Sequence, residues 1–230
     1  MAVIPARKGS KRLPGKNTIN LNGKPLIEYT FQAASASKSI HRIILTTDDL
    51  ACVEIASKYP RIEIPFMRPP ELCQDYSTDL ETFKHVLEFL GREGIEQIPD
   101  ILVHLRPTSP LRVVDEIEKG ISLLMEHKEY DSVRSVVKSD VSIFKLYTID
   151  SSGLTYPFGY SSEKRNLPDQ LLPSTYRHVG YVDVLWTKTI LEGNSMTGEK
   201  IYPFIIPNAR PGINTMEDLL VYEAEFAKDK

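Results

Sequence analysis

The chain has 230 residues, of which 41% are apolar, 9% aromatic and 26% charged, a composition that leaves room for one domain with a sizeable core and excludes disordered, collagenous or coiled-coil classes. Lys and Arg total 28 against 31 Asp and Glu, a formal charge of -3. That balance excludes a generally basic nucleic-acid binder and confines any anion site to a local patch.

Ala2-Val3-Ile4 reads as a first strand, followed by a long polar loop and then Pro25, which suits the first turn of a helix running to about Ser37. Arg42 to Thr47 reads as the second strand, and Asp49 to Lys58 as a helix whose acidic start favours its N-terminus. From Asp79, residues Leu80, Phe83, Leu87 and Leu90 recur on one helical face. Asp100 to Leu105 is the next strand, Ile117, Ile121 and Leu124 mark the next helix, and Asp131 to Val137 another strand.

Between about Lys138 and Tyr176 the rhythm breaks into short β-like pieces such as Phe144 to Ile149, which predicts an excursion or arm from the sheet. Gly180 to Trp186 and Tyr202 to Ile206 then read as strands, and Met216 to Lys228 as a closing helix. The βαβα alternation predicts a three-layer α/β nucleotide-binding domain over 1–230 with a mostly parallel sheet.

No apolar run approaches the ~18 residues of a membrane span. Charges at Arg7, Lys8, Lys11 and Arg12 leave no room for the apolar centre of a secretory signal, so a cytoplasmic protein is expected. Cys52 and Cys73 lack Cys-x-x-Cys spacing and His-rich surroundings, which argues against a disulfide framework or a zinc site.

The most informative segment is Ile4-Pro5-Ala6-Arg7-Lys8-Gly9-Ser10-Lys11-Arg12-Leu13-Pro14-Gly15-Lys16-Asn17, directly after the first strand. A Gly-containing loop there can turn backbone N–H groups toward phosphate while its cations neutralise a polyanion. It is neither a P-loop nor a dinucleotide fingerprint, because the glycine spacings differ. A solvated basic loop is the plain alternative. The C-terminal edge of a strand, where open α/β sheets bind ligands, favours a triphosphate.

This loop resembles the nucleotide-binding signature of sugar-acid cytidylyltransferases, the enzymes that activate sialic-acid-like and 3-deoxy-manno-octulosonic (KDO) acids as CMP-sugars. Three further segments in order are similar to that family: Asn22-Gly23-Lys24-Pro25-Leu26-Ile27, Thr46-Thr47-Asp48-Asp49 and Leu105-Arg106-Pro107-Thr108-Ser109-Pro110-Leu111-Arg112. The last resembles the sialic-acid branch. Arg12 to Lys16, Arg177-His178-Val179-Gly180-Tyr181 and Gly212 to Leu219 look closer to the KDO branch.

The resemblance implies a nucleotide-diphospho-sugar transferase-like (Rossmann-like) α/β/α fold with a dimerisation arm, and transfer of CMP from CTP to a 2-keto-3-deoxy sugar acid. A nucleotidyltransferase for a sugar 1-phosphate and a non-catalytic nucleotide-sugar binding protein are the alternatives. The partners implied are CTP, a sugar acid and a second copy of the chain, with no nucleic acid or membrane. Lys16 and Arg7 are the expected catalytic cations, and Arg7, Gly9, Ser10, Arg12, Lys16, Arg68 and Ser77 the expected nucleotide contacts, with Tyr76 or a structural turn the plain alternative for Arg68 and Ser77.

Arg106, Thr108, Ser109, Lys164, Arg165 and His178 are expected toward the sugar acid. For Arg106 a surface ion pair, for His178 a core position, and for Lys164 and Arg165 a solvated loop are the plain alternatives. The family uses Mg²⁺ or another divalent cation held by aspartates, and this chain departs from it with Thr108, Gly212 and Asn214 at those places. Asn214 is a neutral ligand at best, and Asp48, Asp49, Asp79 or Asp183 are candidate substitutes, although Asp49 and Asp79 serve equally well as helix caps.

Overall fold

The computed structural model describes residues 1–151, 153–155 and 162–228. β1 (Ala2–Ala6) leads through the basic loop to a hairpin of β2 (Asn20–Leu21) and β3 (Lys24–Pro25), then to α1 (Leu26–Ala36), β4 (Ile43–Thr47), α2 (Leu50–Ala56) and β5 (Ile62–Glu63). α3 (Asp79–Glu93), β6 (Ile101–His104), α4 (Val114–Glu126) and β7 (Ser132–Lys138) follow. The excursion carries β8 (Thr148–Asp150), β9 (Gly153–Thr155) and α5 (Ser162–Arg165). The chain returns as β10 (Tyr176–Trp186), α6 (Thr187–Leu191), β11 (Ile201–Ile205) and α7 (Met216–Lys228).

Seven strands form one sheet in the order β11-β7-β10-β6-β1-β4-β5. β1 is parallel to β4 and β6, β4 to β5, and β7 to β11, whereas β10 runs antiparallel to both of its neighbours. Strand periodicity explains the layers, because successive side chains point to opposite faces. Ala2, Ile4, Ile43, Leu45 and Val103 enter one core beneath α1, α2 and α4, while Val3, Ile44, Leu102 and Leu185 enter a second beneath α3 and α6. The predicted three-layer α/β class with a mostly parallel sheet is therefore observed. Among the described residues no helix is long and apolar enough to cross a membrane.

Two local expectations change. The β-like piece at Phe144 to Ile149 is a 3₁₀ turn at Ile143–Lys145 followed by β8. β10 begins at Tyr176 rather than Gly180, because Tyr176, Arg177 and His178 pair with Lys138, Val137 and Val136 before the register shifts. Gly180, at φ +64°, accommodates that shift in a conformation costly for a residue with a Cβ.

A carboxylate fastens the end of α1. Glu118 accepts from Ser37 Oγ at 2.6 Å, from the Lys38 N–H at 2.8 Å and from the Ser39 N–H and hydroxyl. Slight burial acts to raise its pKa, but the four donors outweigh it and bring the carboxyl down to about 2. A depressed carboxyl pKa contributes stability that is present above the unfolded value of about 4.3 and lost as pH falls toward the folded one. Glu118→Gln should therefore lower Tm at neutral pH, with the gap to the wild type closing between about pH 4 and pH 2. An unchanged gap across a pH series of melting curves would show that the cap is not electrostatic.

Candidate active site

The carboxyl ends of the parallel strands β1 and β6 open on a cleft of about 310 Å³, which Arg68, bonded to the end of β4, also lines. Arg7, Ser10, Lys11, Arg12, Lys16 and Asn17 line it from the basic loop, with Arg68, Ser77, Thr78, Asp79 and Thr82 from the segment entering α3. Arg106, Pro107 and Thr108 line it from the loop after β6, and Asn214 from the closing loop. Six cationic side chains face one carboxylate there, although the chain as a whole is slightly acidic. Such a concentration of positive charge at strand ends suits a polyanion.

The basic loop is held in shape by its own residues. Buried Asn17 donates to the Arg7 carbonyl at 3.0 Å, and the Lys8 N–H donates to Asp48 at 2.8 Å. Gly15, at φ +66°, turns the chain into the 3₁₀ turn that begins at Lys16. Lys16 Nζ then donates to Asn214 Oδ1 at 3.1 Å, which joins the two ends of the sequence across the cleft. Burial lowers the Lys16 pKa, and the neighbouring cations Arg12 and Arg7 lower it further. Such a lysine gains when an anion enters. Arg7 meanwhile donates to Asp75 at 3.1 Å and to the Cys73 carbonyl at 3.3 Å.

Arg68 is buried and pinned to the end of β4, donating to Thr46 Oγ1 at 3.1 Å and to the Thr46 carbonyl at 2.6 Å. The Ser77 hydroxyl donates to the Glu71 carbonyl at 3.0 Å and accepts from the Gln74 N–H, so it organises the turn that it shares with the cleft. The cap of α3 is Thr78, in a reciprocal box with Glu81, which leaves Asp79 on the first turn to face Arg106. A Thr-x-x-Glu spacing announces that cap, and reading the helix from Asp79 passes over it.

Arg106 is gripped by protein carboxylates, with one terminal nitrogen 2.6 Å from Asp183 and the other 3.0 Å from Asp79. Burial works to raise the Asp79 pKa, and His104, Arg106 and Arg134 together bring it below the ordinary carboxylate value. His104 lies against the same carboxylate but is fully buried, and its pKa falls to about 3, so it is neutral near pH 7. Burial alone would raise the pKa of Asp183. His178, Arg106 and Arg134 hold it far below the carboxylate range instead.

Arg112, not assigned a role from the sequence, is buried and holds the same loop by donating to the Arg106 carbonyl at 2.8 Å, the Tyr181 carbonyl at 2.6 Å and Thr30 Oγ1 at 2.9 Å. It belongs to the quoted Leu-Arg-Pro-Thr-Ser-Pro-Leu-Arg segment, and its position there was the available signal.

The other expected residues are placed as follows. Gly9 shares a separate shallow cavity with Asp49, and Ser109 is buried within the loop after β6. Arg165 is buried in the excursion, donating to the Phe144 and Leu146 carbonyls, and His178 contacts Asp183 rather than lining the cleft. The side chain of Lys164 lies outside the described residues. Asp49 caps α2 by accepting from the Ala51 N–H.

The candidate metal ligands can be tested on their donors. Asn214 Oδ1 already accepts from Lys16, Asp183 is enclosed by three cationic or hydrogen-bonding partners, and Asp49 is a cap. Among the described residues no three His, Cys, Asp or Glu side chains come together as a metal site. These residues do not fit a divalent cation resident in the protein. The cleft offers one carboxylate, Asp79, to an ion that arrives on a triphosphate, the manner in which Mg²⁺ is commonly held.

The cytidylyltransferase family model matches residues 1–150. A pseudaminic acid cytidylyltransferase of Campylobacter jejuni is 28% identical over 229 residues, covering 99% of this chain and 94% of that one. A CMP-N,N'-diacetyllegionaminic acid synthase of Legionella pneumophila is 31% identical, covering 93% and 89% of the two chains. Among solved structures, a CMP:2-keto-3-deoxy-manno-octonic acid synthetase in complex with CTP superposes with a TM-score of 0.72 at 17% identity, covering 100% of this chain and 98% of that one, a likeness of fold.

Proposed function

The chain belongs to the cytidylyltransferase family, and from that premise we propose that it transfers CMP from CTP to the anomeric hydroxyl of a nine-carbon 2-keto-3-deoxy sugar acid, releasing pyrophosphate. The observation that carries the reading is the cleft itself, with six cations and one carboxylate gathered where the parallel strands β1 and β6 end. The choice of a nonulosonate acceptor rests on relatives that span nearly the whole chain and are named for such acids.

In this reading the sugar oxygen attacks the α-phosphorus in line. The new O–P bond forms as the bond from the α-phosphorus to the bridging oxygen breaks, pyrophosphate departs with that oxygen, and the hydroxyl proton passes to solvent. Positioning and charge neutralisation supply most of the acceleration in such chemistry. Arg7, Arg12 and Lys16 neutralise the triphosphate. Arg106 and Thr108 face the acceptor, with Ser109 behind them in the same loop. A divalent cation carried by CTP would add further neutralisation, and Asp79 is the carboxylate it would meet.

A homodimer belongs to the same proposal. Ile149 and Leu154 are paired across the β8–β9 hairpin and are 81% and 67% exposed, so one apolar face of the arm is open to solvent. A two-stranded hairpin is marginal alone and gains from cover by a second copy.

Pyrophosphate release across four nucleoside triphosphates and a panel of sugar acids and sugar 1-phosphates tests the function. Turnover is expected with CTP and a sugar acid, with thermal stabilisation by CTP exceeding that by UTP, ATP or GTP. Equal stabilisation by purine and pyrimidine nucleotides, or turnover with a sugar 1-phosphate, would replace this reading.

A further inference from the structure

A buried carboxylate in the middle of a sheet strand is unfavourable unless it is paired, yet the Asp183 side chain is only 3% exposed. It sits on β10 opposite His104 of β6 on one side and Arg134 of β7 on the other, just past the point where the β10–β7 register shifts. One of its oxygens accepts from Arg106 at 2.6 Å and from Arg134 at 2.9 Å, and His178 Nε2 lies 2.9 Å from both oxygens. The Arg134 guanidinium also donates to the Met196 carbonyl at 3.1 Å and does not line the cleft. Arg134 thus anchors Asp183, and Asp183 anchors Arg106.

Geometry makes this chain of contacts directional. A guanidinium is a rigid plane with five N–H donors, so fixing both terminal nitrogens fixes where the remaining donors point. These two bonds hold the Arg106 plane between Asp183 and Asp79, and its three other N–H groups donate to no protein acceptor among the described residues. Gly180 keeps the space open, since a Cβ there would fall 2.9 Å from a terminal nitrogen of Arg106 and 3.1 Å from its Cδ.

We propose that Asp183 and Arg134 are positioning residues that set the orientation in which Arg106 presents its free donors to the carboxylate of the acid acceptor. This rests on the acceptor side of the proposed function. Neither residue touches substrate. Both act through Arg106, so their loss misaligns one charge-assisted contact and leaves the triphosphate cations in place.

The test compares Asp183→Asn, Arg134→Gln and Arg134→Lys with the wild type. The acceptor is whichever of pseudaminic, N,N'-diacetyllegionaminic, N-acetylneuraminic and 3-deoxy-manno-octulosonic acids the wild type turns over fastest. Asp183→Asn and Arg134→Gln should raise KM for the acid about tenfold while KM and thermal shift for CTP stay within about twofold, a misaligned charge-assisted contact having that size. Arg134→Lys, which keeps a cation beside Asp183, should recover part of the loss. Equal rises in both KM values, or a fall in kcat with neither KM changed, would give these residues a general structural role and overturn the proposal. Should Asp183→Asn not fold, the two Arg134 variants decide by the same split. A wild type inactive with all four acids would overturn the acceptor reading itself, an outcome distinct from any variant effect.

Discussion

Replacing Lys16 with alanine should lower kcat/KM for CTP by at least ~100-fold, the scale of losing one charge-directed donor from a dehydrated site. Its ammonium is half withdrawn from water, flanked by Arg7 and Arg12, and held at the cleft by Asn214. Like-charge crowding makes the apo site poor for Lys16⁺ and the triphosphate complex correspondingly good for it, so the interaction strengthens where phosphate charge develops. The same depression fixes the sign of the pH effect. Lys16 loses its proton at a lower pH than a free lysine, so KM for CTP should rise on the alkaline side, and that rise should be absent in Lys16→Ala. Within the protein its side chain makes one hydrogen bond, to Asn214, so a melting curve close to that of the wild type is expected. Near-normal kcat/KM with saturable CTP would remove Lys16 from the triphosphate site.

What the sequence disclosed about this site follows from how local each signal is. The basic loop was legible because β1 is short and apolar and the cations follow it within a dozen residues, so chain order places them at a strand end. The clamp on Arg106 was not legible. Asp79 and Asp183 lie 27 and 77 residues away and Arg134 is on another strand, and only the antiparallel insertion of β10 between β6 and β7 brings them together. Hydrophobic periodicity reports which residues of a strand are buried but not the direction in which it runs. For the same reason β10 read as one more buried strand, with nothing to mark it as the antiparallel one. The two caps at Asp49 and Thr78 divide the acidic residues physically, since the cap at α2 consumes Asp49 while Thr78 releases Asp79 to the cleft.

The closing loop, where the resemblance leads one to expect aspartate, is constrained sterically as well as electrostatically. Gly212 is buried against the loop after β6, with the Ile213 N–H donating to the Thr108 carbonyl at 2.8 Å. A Cβ built at Gly212 would penetrate the Thr108 hydroxyl and lie 3.0 Å from the Thr108 Cβ and 3.2 Å from its carbonyl oxygen. Thr108 and Gly212, two places where the resemblance implies aspartate, therefore constrain each other. Gly212→Asp should not restore a metal site. It should destabilise the protein by about 1–3 kcal/mol through overpacking, at ~2–4 °C of Tm for each kcal/mol in a chain of this size. Turnover should fall as well, because moving this loop shifts Asn214 and with it the hydrogen bond to Lys16. Thr108→Gly removes the obstructing side chain, so in a double-mutant cycle it should cost less in the Gly212→Asp background than in the wild type, as expected of residues in contact. A Gly212→Asp variant as stable as the wild type, needing less Mg²⁺ for half-maximal activity, would mean that the loop yields freely and that the missing aspartate alone sets the metal dependence.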